Sequence, residues 1–229
     1  MLAAKADFIV STPLNRYHCW RMIKALFLIF EPMVAWDRVV QARRSLGFIL
    51  GLYLLPMMLL VAAAEGFGLV KWGKQQFTSD FIKRFTVGEA VIYEAGQTLL
   101  MFAVMFAGAH LIKMLGDTFR GRNSYTQAFT VVAYGLSPMF LLRLLDAFQS
   151  VNPWLTWIIG IMLVFKILYH GVPMVMLPDP PHAFGLYFMS WLLLTLVTGL
   201  ERFMTAWYLS GHFVPLENFV SQLATKLPF

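Results

Sequence analysis

Charged residues are scarce in this sequence. Of its 229 residues, 13% are Asp, Glu, Lys or Arg, whereas 59% are hydrophobic, and the mean hydropathy is +0.67. A water-soluble domain of this size needs more charge than this to cover its surface. The composition therefore excludes a soluble globular protein and predicts an integral membrane protein.

Residues and motifs that carry chemistry are also scarce. The single Cys19 excludes a disulfide framework within one chain and any cysteine-rich metal site. The five histidines are scattered, with no pair at helical spacing, and there is no Gly-x-Ser-x-Gly elbow or glycine-rich phosphate loop. We therefore predict no catalytic residues, no metal site and no cofactor.

The sequence has a positive charge balance, with a formal net charge of +6. No RNA-binding motif or array of basic helices accompanies it, so nucleic acid is not an expected partner. Excess Lys and Arg is typical of the cytoplasmic side of membrane proteins, where lipid headgroups are anionic. The expected partners are the lipid bilayer and other membrane proteins, including further copies of the chain.

Long apolar runs are abundant. A spanning helix needs about 20 predominantly apolar residues. Five stretches meet this requirement: Ser45–Val70, Ala90–Ile112, Ala128–Phe148, Pro153–Leu177 and Ala183–Leu200, the last of which can extend to Tyr208. The short Gly- and Pro-containing connections between the last three predict antiparallel neighbours. The predicted fold is all-α, a bundle of five transmembrane helices (residues 45–208) between an N-terminal segment (1–44) and a C-terminal tail (209–229).

Basic residues set the expected orientation. Arg43 and Arg44 directly precede the first span, which predicts a cytoplasmic N-terminus and an extracytoplasmic C-terminus in the cell membrane. The loop after this span opposes that assignment, because it contains four basic residues: Lys71, Lys74, Lys83 and Arg84. Residues 1–21 have no clear periodicity and no secretory signal pattern, and Met22 is an alternative start.

A short helix is predicted ahead of the first span, within Met22–Arg44. Pro32 suits a first helical turn, and Met33, Trp36 and Val40 share one face. In one interpretation this helix lies on the cytoplasmic leaflet. Trp36 would then sit at headgroup level, and Arg38, Arg43 and Arg44 would contact anionic lipid. In the other interpretation the apolar face packs on the bundle.

Several ionisable residues fall within the predicted spans, where such residues are functional candidates. The candidate intramembrane polar network comprises Glu94, Arg143, Asp146, Lys166 and His170. Arg143 and Asp146 are three positions apart near a span end and are expected to form a local, exposed pair. Glu94 and Lys166 are deepest. They are expected either to pair across helices or to line a polar pathway. Ser137 and His170 are a further candidate pair, for an intramembrane protease.

Proline and glycine interrupt three of the spans. Gly135 and Pro138 open the third span, "VVAYGLSPMFLLRLLDAF", and are expected to form a packing notch. Ser137 can satisfy the carbonyl that Pro138 leaves without a donor. Further breaks or close contacts are predicted at Pro56, Gly171 and Pro173.

Four short sequence motifs follow one another along the chain. "LIFEPMVAWDRV" precedes the first span, "VVAYGLSP" opens the third, "WIIGIMLVFKILYHGVPMVM" forms the fourth and "PDPPHAF" leads into the fifth. Over Met22–Leu200 the sequence resembles the Yip family of Ypt/Rab-interacting membrane proteins, in particular its prokaryotic branch. The acidic motif that eukaryotic members carry before the first span is absent.

The resemblance implies a protein of five spans with a cytoplasmic N-terminus, no enzymatic activity and an association with other membrane proteins. We therefore predict a non-enzymatic adaptor or organiser of other membrane proteins. The alternative prediction is a small transporter or channel that uses Glu94 and Lys166.

Overall fold

The computed structural model of the protein describes residues 28–75, 82–121, 124–209 and 214–226. Five of its helices are long and apolar enough to cross a membrane, judged by length and composition: Leu46–Lys71, Val87–Thr118, Tyr125–Ala147, Pro153–Met176 and Pro180–Leu209. The prediction of an all-α fold with five candidate spans is confirmed. The alternative start at Met22 and residues 22–27 of the N-terminal segment lie outside the described residues.

We number the helices in chain order. They are α1 (Pro32–Ala42), α2 (Leu46–Lys71), α3 (Val87–Thr118), α4 (Tyr125–Gly135), α5 (Ser137–Arg143), α6 (Pro153–Met176), α7 (Ala183–Leu209) and α8 (Val214–Ala224). Short 3-10 turns at Leu144–Ala147 and Pro180–His182 extend the third and fifth spans. A minimal antiparallel ladder joins β1 (Lys74–Gln75) to β2 (Ile82–Lys83) between α2 and α3.

Helix α3 is longer than predicted at both ends. It begins with a capping box, in which the Thr86 hydroxyl accepts from the backbone N–H of Glu89 and the Glu89 carboxylate accepts from the backbone N–H of Thr86. Its 32 residues span about 48 Å at 1.5 Å per residue. This length exceeds the hydrocarbon thickness of a bilayer, which is about 30 Å.

The third span lies at the centre of the bundle. Of the 18-residue apolar stretch in this span, 67% is buried inside the protein, compared with 28–44% of the corresponding stretch in each of the other four spans. Helix α4 packs on α3 and α6, and α5 packs on α6 and α2. Small residues permit this close packing: a Cβ added at Gly135 would lie 2.7 Å from Cδ2 of Leu168 on α6.

The third span is interrupted at Leu136, between α4 and α5. Pro138 has no N–H to donate to the carbonyl oxygen of Tyr134, one helical turn earlier. The Ser137 hydroxyl donates to that oxygen instead, at 2.6 Å, as the sequence predicted. Since its proton is used in this way, the Tyr53 hydroxyl, 2.5 Å from Ser137 Oγ, is the donor in their contact.

The other predicted breaks differ from one another. Pro56 lies two residues after the end of a π-helical segment, Ile49–Leu54, in the first half of α2. Pro173 does not interrupt α6, which continues to Met176 and closes at Leu177 in a left-handed conformation, φ 43°. The expected break at Pro173 is therefore corrected: the helix accommodates this proline one turn before it ends.

Helix α1 packs on the bundle through Trp36, whose side chain is fully buried. The indole Nε1 donates to the carbonyl oxygen of Ile167 at 3.0 Å, and a Cβ added at Gly171 would lie 2.3 Å from the ring. Met33 and Val40 are exposed. The interpretation in which this helix packs on the bundle therefore applies to Trp36, because the missing side chain of Gly171 leaves a slot for the indole on α6.

Part of the predicted C-terminal tail is helical. Helix α8 packs against the start of α3, where a Cβ added at Gly88 would lie 3.0 Å from the Ala224 side chain. This helix was not predicted from the sequence, because its 11 residues are too few for a span.

Candidate functional site

Arg143, at the end of α5, is the centre of a buried group of charges. Its Nε lies 3.1 Å from Oε2 of Glu65 on α2, and its Nη1 lies 3.1 Å from Oε1 of Glu201 on α7. Lys74 reaches the other oxygen of Glu65 at 3.4 Å, and Gln97 on α3 donates to Glu201 at 2.9 Å. We call these five residues the Arg143 network. It connects the first, second, third and fifth spans.

A second ion pair lies beside this network. Arg202 on α7 donates through Nη2 to Oδ2 of Asp146, which follows α5 in the 3-10 turn. Thr156 on α6 donates to the other oxygen of Asp146 at 2.7 Å, and Arg202 also donates to the Thr156 hydroxyl. The Asp146–Arg202 pair thus connects the third, fourth and fifth spans.

These contacts correct the expectation of a local, exposed Arg143–Asp146 pair. The two residues are 4% and 3% exposed, and each pairs with a residue of another span instead. The 3-10 turn that starts at Leu144 ends the regular helical spacing between them. The partners on α2 and α7 also bring opposite charges from outside the third span, so that both side chains are compensated inside the bundle.

Glu65, Glu201 and Arg202 were absent from the sequence-based candidates. Glu65 is a lone carboxylate within a long apolar run, which is a signal that could have been used. Glu201 and Arg202 directly follow Leu200, the shorter of the two predicted ends of the fifth span, and fall within the alternative extension to Tyr208. Helix α7 continues to Leu209 and so carries both residues into the bundle, where they are 7% and 8% exposed.

Glu94 and Lys166 do not pair with each other. Lys166 is exposed on α6 and donates to the backbone oxygen of Ile29 at 3.2 Å. Glu94 is 7% exposed on α3, and its Oε1 has no hydrogen-bond partner in the described part of the chain. The expected cross-helix pair is therefore wrong, because these two positions face different sides of the bundle.

The remaining candidates are spread over the bundle. His170 is half-buried on α6, beside the ring of Tyr169. The Ser137 hydroxyl is hydrogen-bonded to Tyr134 and Tyr53, not to His170, so the contacts of Ser137 do not support a protease pair. Among the described residues, no group of three or more His, Cys, Asp or Glu side chains is arranged to hold a metal ion.

The three basic residues that were expected to contact anionic lipid, Arg38, Arg43 and Arg44, are in two different environments. Arg38 and Arg43 are exposed. Arg44 is half-buried, donates to the Tyr134 hydroxyl at 3.1 Å and lies over the ring of Phe48. Arg44 therefore connects the start of the first span to the third.

A narrow cleft, with a volume of about 30 Å³, lies between α3, α5, α6 and α7. Arg143, Thr156, Glu201 and Arg202 line one end of it. The cleft is therefore lined by residues of the Arg143 network and of the Asp146–Arg202 pair.

The comparisons with known proteins place the chain in a family. No curated protein and no solved structure matches the chain. The family description "Yip1 domain" matches residues 26–200, about three-quarters of the chain, and this range contains α1, the first four spans and the first part of α7. The chain therefore belongs to the Yip1 domain family of multi-pass membrane proteins.

Proposed function

We propose that this chain is a non-enzymatic adaptor or organiser of other membrane proteins. In this proposal it lies in a bacterial cytoplasmic membrane with its N-terminus in the cytoplasm, and it belongs to the prokaryotic branch of its family. The Yip1 family is a non-catalytic membrane-protein family, which supports the first part of this proposal. The organising role rests mainly on the way the buried charges are used.

The observation that carries the proposal is the pairing of buried charges between spans. Two buried cations, Arg143 and Arg202, are paired with the carboxylates of Glu65, Glu201 and Asp146, and the half-buried Lys74 of β1 also reaches Glu65. Charges committed to one another inside a bundle hold its helices in fixed positions. A rigid bundle of this kind suits a protein that presents its outer helix surfaces to partners.

Those outer surfaces are broad and apolar. On α3, Leu99 is 72% exposed, and on α7, Leu196 is 66% exposed. Lipid covers such faces by default, but the same faces are where a membrane partner or a second copy of the chain would pack.

Site-specific photo-cross-linking in cells tests the adaptor role. We expect p-benzoylphenylalanine at Leu99 or Leu196 to yield adducts with a small, reproducible set of membrane proteins, or with a second copy of the chain. The matched control is Leu194 on α7, which is fully buried and should yield no intermolecular adduct. Adducts with lipid alone from every outward position would contradict the proposal.

The alternative function, a small transporter or channel, rests on one observation. Glu94 is a buried carboxyl group with an unpaired oxygen, close to Gly66 on the same helix as Glu65. Unpaired acidic residues in membrane spans occur in proton and ion pathways. Lys166 does not contribute to such a pathway, because it lies elsewhere on the bundle.

Flux measurements distinguish the two functions. In proteoliposomes that contain a pH-sensitive dye, the transporter alternative expects proton movement in the wild type and its loss in Glu94→Gln. The matched control is Glu89→Gln, which changes a half-buried carboxylate at the start of α3, where the glutamine amide oxygen can still accept from the backbone N–H of Thr86. No flux above protein-free vesicles favours the adaptor.

A further inference from the structure

The narrow cleft between α3, α5, α6 and α7 has the size of a water site. Its volume is about 30 Å³, whereas small-molecule sites occupy roughly 300 to 1,000 Å³. A single ordered water needs at least about 10 to 15 Å³. The cleft therefore has room for a water molecule and excludes a larger ligand.

Arg143 supplies a hydrogen-bond donor at this cleft. It lines the cleft and is more than nine-tenths buried. Its Nε and Nη1 donate to Glu65 and Glu201, but its Nη2 has no acceptor among the residues that the structure describes. A buried donor without an acceptor costs free energy, so an oxygen atom beside Nη2 would stabilise the bundle.

Glu201 supplies a hydrogen-bond acceptor at the same cleft. Both of its hydrogen bonds with other described side chains, from Arg143 at 3.1 Å and from Gln97 at 2.9 Å, go to Oε1. Its second carboxylate oxygen, Oε2, is therefore available to accept. Because Glu201 and Arg143 both line the cleft, an unused donor and an unused acceptor belong to residues that border the same small space.

The charges of the lining favour a neutral ligand. The Arg143 network and the Asp146–Arg202 pair contain equal numbers of cations and carboxylates. The guanidinium groups of Arg143 and Arg202 repel a metal cation, and the Glu201 carboxylate repels an anion. A small neutral molecule that both donates and accepts hydrogen bonds meets these conditions, and water is such a molecule.

The polar residues lie at one end of the cleft. Arg143 is the last residue of α5, Thr156 is in the first turn of α6, and Glu201 lies toward the end of α7. Apolar side chains, including Val104 and Leu136, line the rest of the cleft. A water molecule finds hydrogen-bond partners only at the polar end, so this end is its expected position.

We propose that one ordered water occupies the polar end of this cleft. The water accepts from Nη2 of Arg143 and donates to Oε2 of Glu201. With this water, every nitrogen of the Arg143 guanidinium has a hydrogen-bond acceptor. The water is therefore a further member of the Arg143 network, and it connects α5 to α7 beside their direct ion pair.

Hydroxyl-radical labelling of the unaltered full-length protein tests whether the cleft contains water. An X-ray pulse in oxygen-free water enriched in a heavy oxygen isotope produces the radicals where water is present, and mass spectrometry locates the label. Phe140 and Met105 are buried and line the cleft, and we expect both to be labelled. Phe129 and Met58 are the matched controls, since they are also buried but lie outside the cleft. Labelling of Phe140 and Met105 no greater than that of the controls would overturn the proposal.

A substitution tests whether the water lies at the polar end. Thr198 lines the cleft one helical turn before Glu201, and Thr198→Leu places a larger apolar side chain there. Labelling of Phe140 should fall to the level of Phe129. The matched control is Thr195→Leu, because Thr195 lies on the same helix, also donates its hydroxyl to a backbone oxygen and is outside the cleft. This control should keep the wild-type labelling, and wild-type labelling in Thr198→Leu would overturn the assigned position.

A high-resolution crystal structure of the full-length chain tests the two hydrogen bonds. We expect one water oxygen at hydrogen-bond distance, about 2.7 to 3.2 Å, from both Nη2 of Arg143 and Oε2 of Glu201. A water that lacks either contact, or a cleft closed by side chains, would overturn the proposed bridge. This measurement requires no substitution, so it also covers the case in which Thr198→Leu does not fold.

Discussion

Nη1 of Arg143 on α5 lies 3.1 Å from Oε1 of Glu201 on α7, although the two residues are 58 positions apart in the chain. This contact joins the central span to the last one inside the bundle. It also places a full ion pair in a region that most of the neighbouring side chains make apolar. The stability of the bundle should therefore depend strongly on the two charges being present together.

Loss of Arg143 should be costly. Arg143→Leu leaves two buried carboxylates, Glu65 and Glu201, without their shared cation, and breaking a buried pair in this way costs about 3 to 5 kcal/mol. We expect a large fall in the thermal unfolding midpoint of the detergent-purified protein. Arg38→Leu, at an exposed position on α1, is the control and should change it little. Equal midpoints for the two variants would show that Arg143 is not buried as described.

The Asp146–Arg202 pair should show strong energetic coupling. In a double-mutant cycle of Asp146→Asn and Arg202→Gln, we expect a coupling free energy of about 0.5 to 3 kcal/mol, because the two side chains are in direct contact. Urea or thermal unfolding of the single and double variants measures it. Arg202→Gln combined with Arg38→Gln should be additive, and additivity within the Asp146–Arg202 cycle itself would contradict the pairing.

Gly171 should tolerate no side chain while Trp36 is present. In Gly171→Ala, the new methyl group would lie 2.3 Å from the indole ring, and overpacking typically costs about 1 to 3 kcal/mol. The cost should largely disappear in a Trp36→Ala background, which a thermal unfolding comparison would detect. Gly96→Ala on α3 is the control, since its added Cβ meets no atom within 4 Å. If Gly171→Ala still destabilises the protein in the Trp36→Ala background, α6 itself, and not the indole ring, requires the glycine.

The hydroxyl of Ser137 should stabilise the break in the third span. Ser137→Ala removes the donor to the Tyr134 carbonyl and the acceptor for Tyr53, and unsatisfied buried groups cost about 1 to 3 kcal/mol each. The matched control is Ser190→Ala on α7. Ser190 is also fully buried, but its hydroxyl has no partner in the residues that the structure covers, so its loss should be neutral or slightly stabilising. The prediction fails if both variants melt at the same temperature.

The orientation of the bundle is open to a direct test. Reporter fusions at residue 122 should be active on the cytoplasmic side, and fusions at the C-terminus on the extracytoplasmic side, because Arg43 and Arg44 directly precede the first span. Changing Arg38, Arg43 and Arg44 to Glu should disturb this orientation, since each basic residue near an anionic leaflet contributes about 1 kcal/mol. A C-terminal reporter active only in the cytoplasm would contradict the orientation.

Local chemistry was predictable from the sequence. Hydropathy located all five candidate spans, since each must be apolar along most of its length to enter a bilayer. The hydrogen bond from Ser137 to Tyr134 was also predictable, because the position of Pro138 identifies the carbonyl that loses its donor. For the spans and for this hydrogen bond alike, the residues that determine the structure lie in the same short stretch of sequence as the structure itself.

The partners of the buried charges were not predictable in the same way. Arg143 is close in sequence to Asp146 but contacts Glu65 and Glu201, and only the packing of four spans decides between these acceptors. Trp36 likewise had two reasonable environments, and a glycine on a distant helix, Gly171, selects the buried one. The end of the fifth span was left open between Leu200 and Tyr208, and Glu201 and Arg202 count as intramembrane residues only with the longer end, which α7 adopts.

The Asp146–Arg202 pair has a consequence for the biogenesis of the protein. Arg202 follows Asp146 by 56 residues, so the ribosome completes the third span well before it makes the cation that neutralises Asp146. Asp146 lies in the last turn of the third span, where an unpaired carboxylate costs less than the about 2.5 to 3.5 kcal/mol of the bilayer centre. The native pairing of Asp146 can therefore form only after the fifth span has been made, so the third span reaches its final packing late in synthesis.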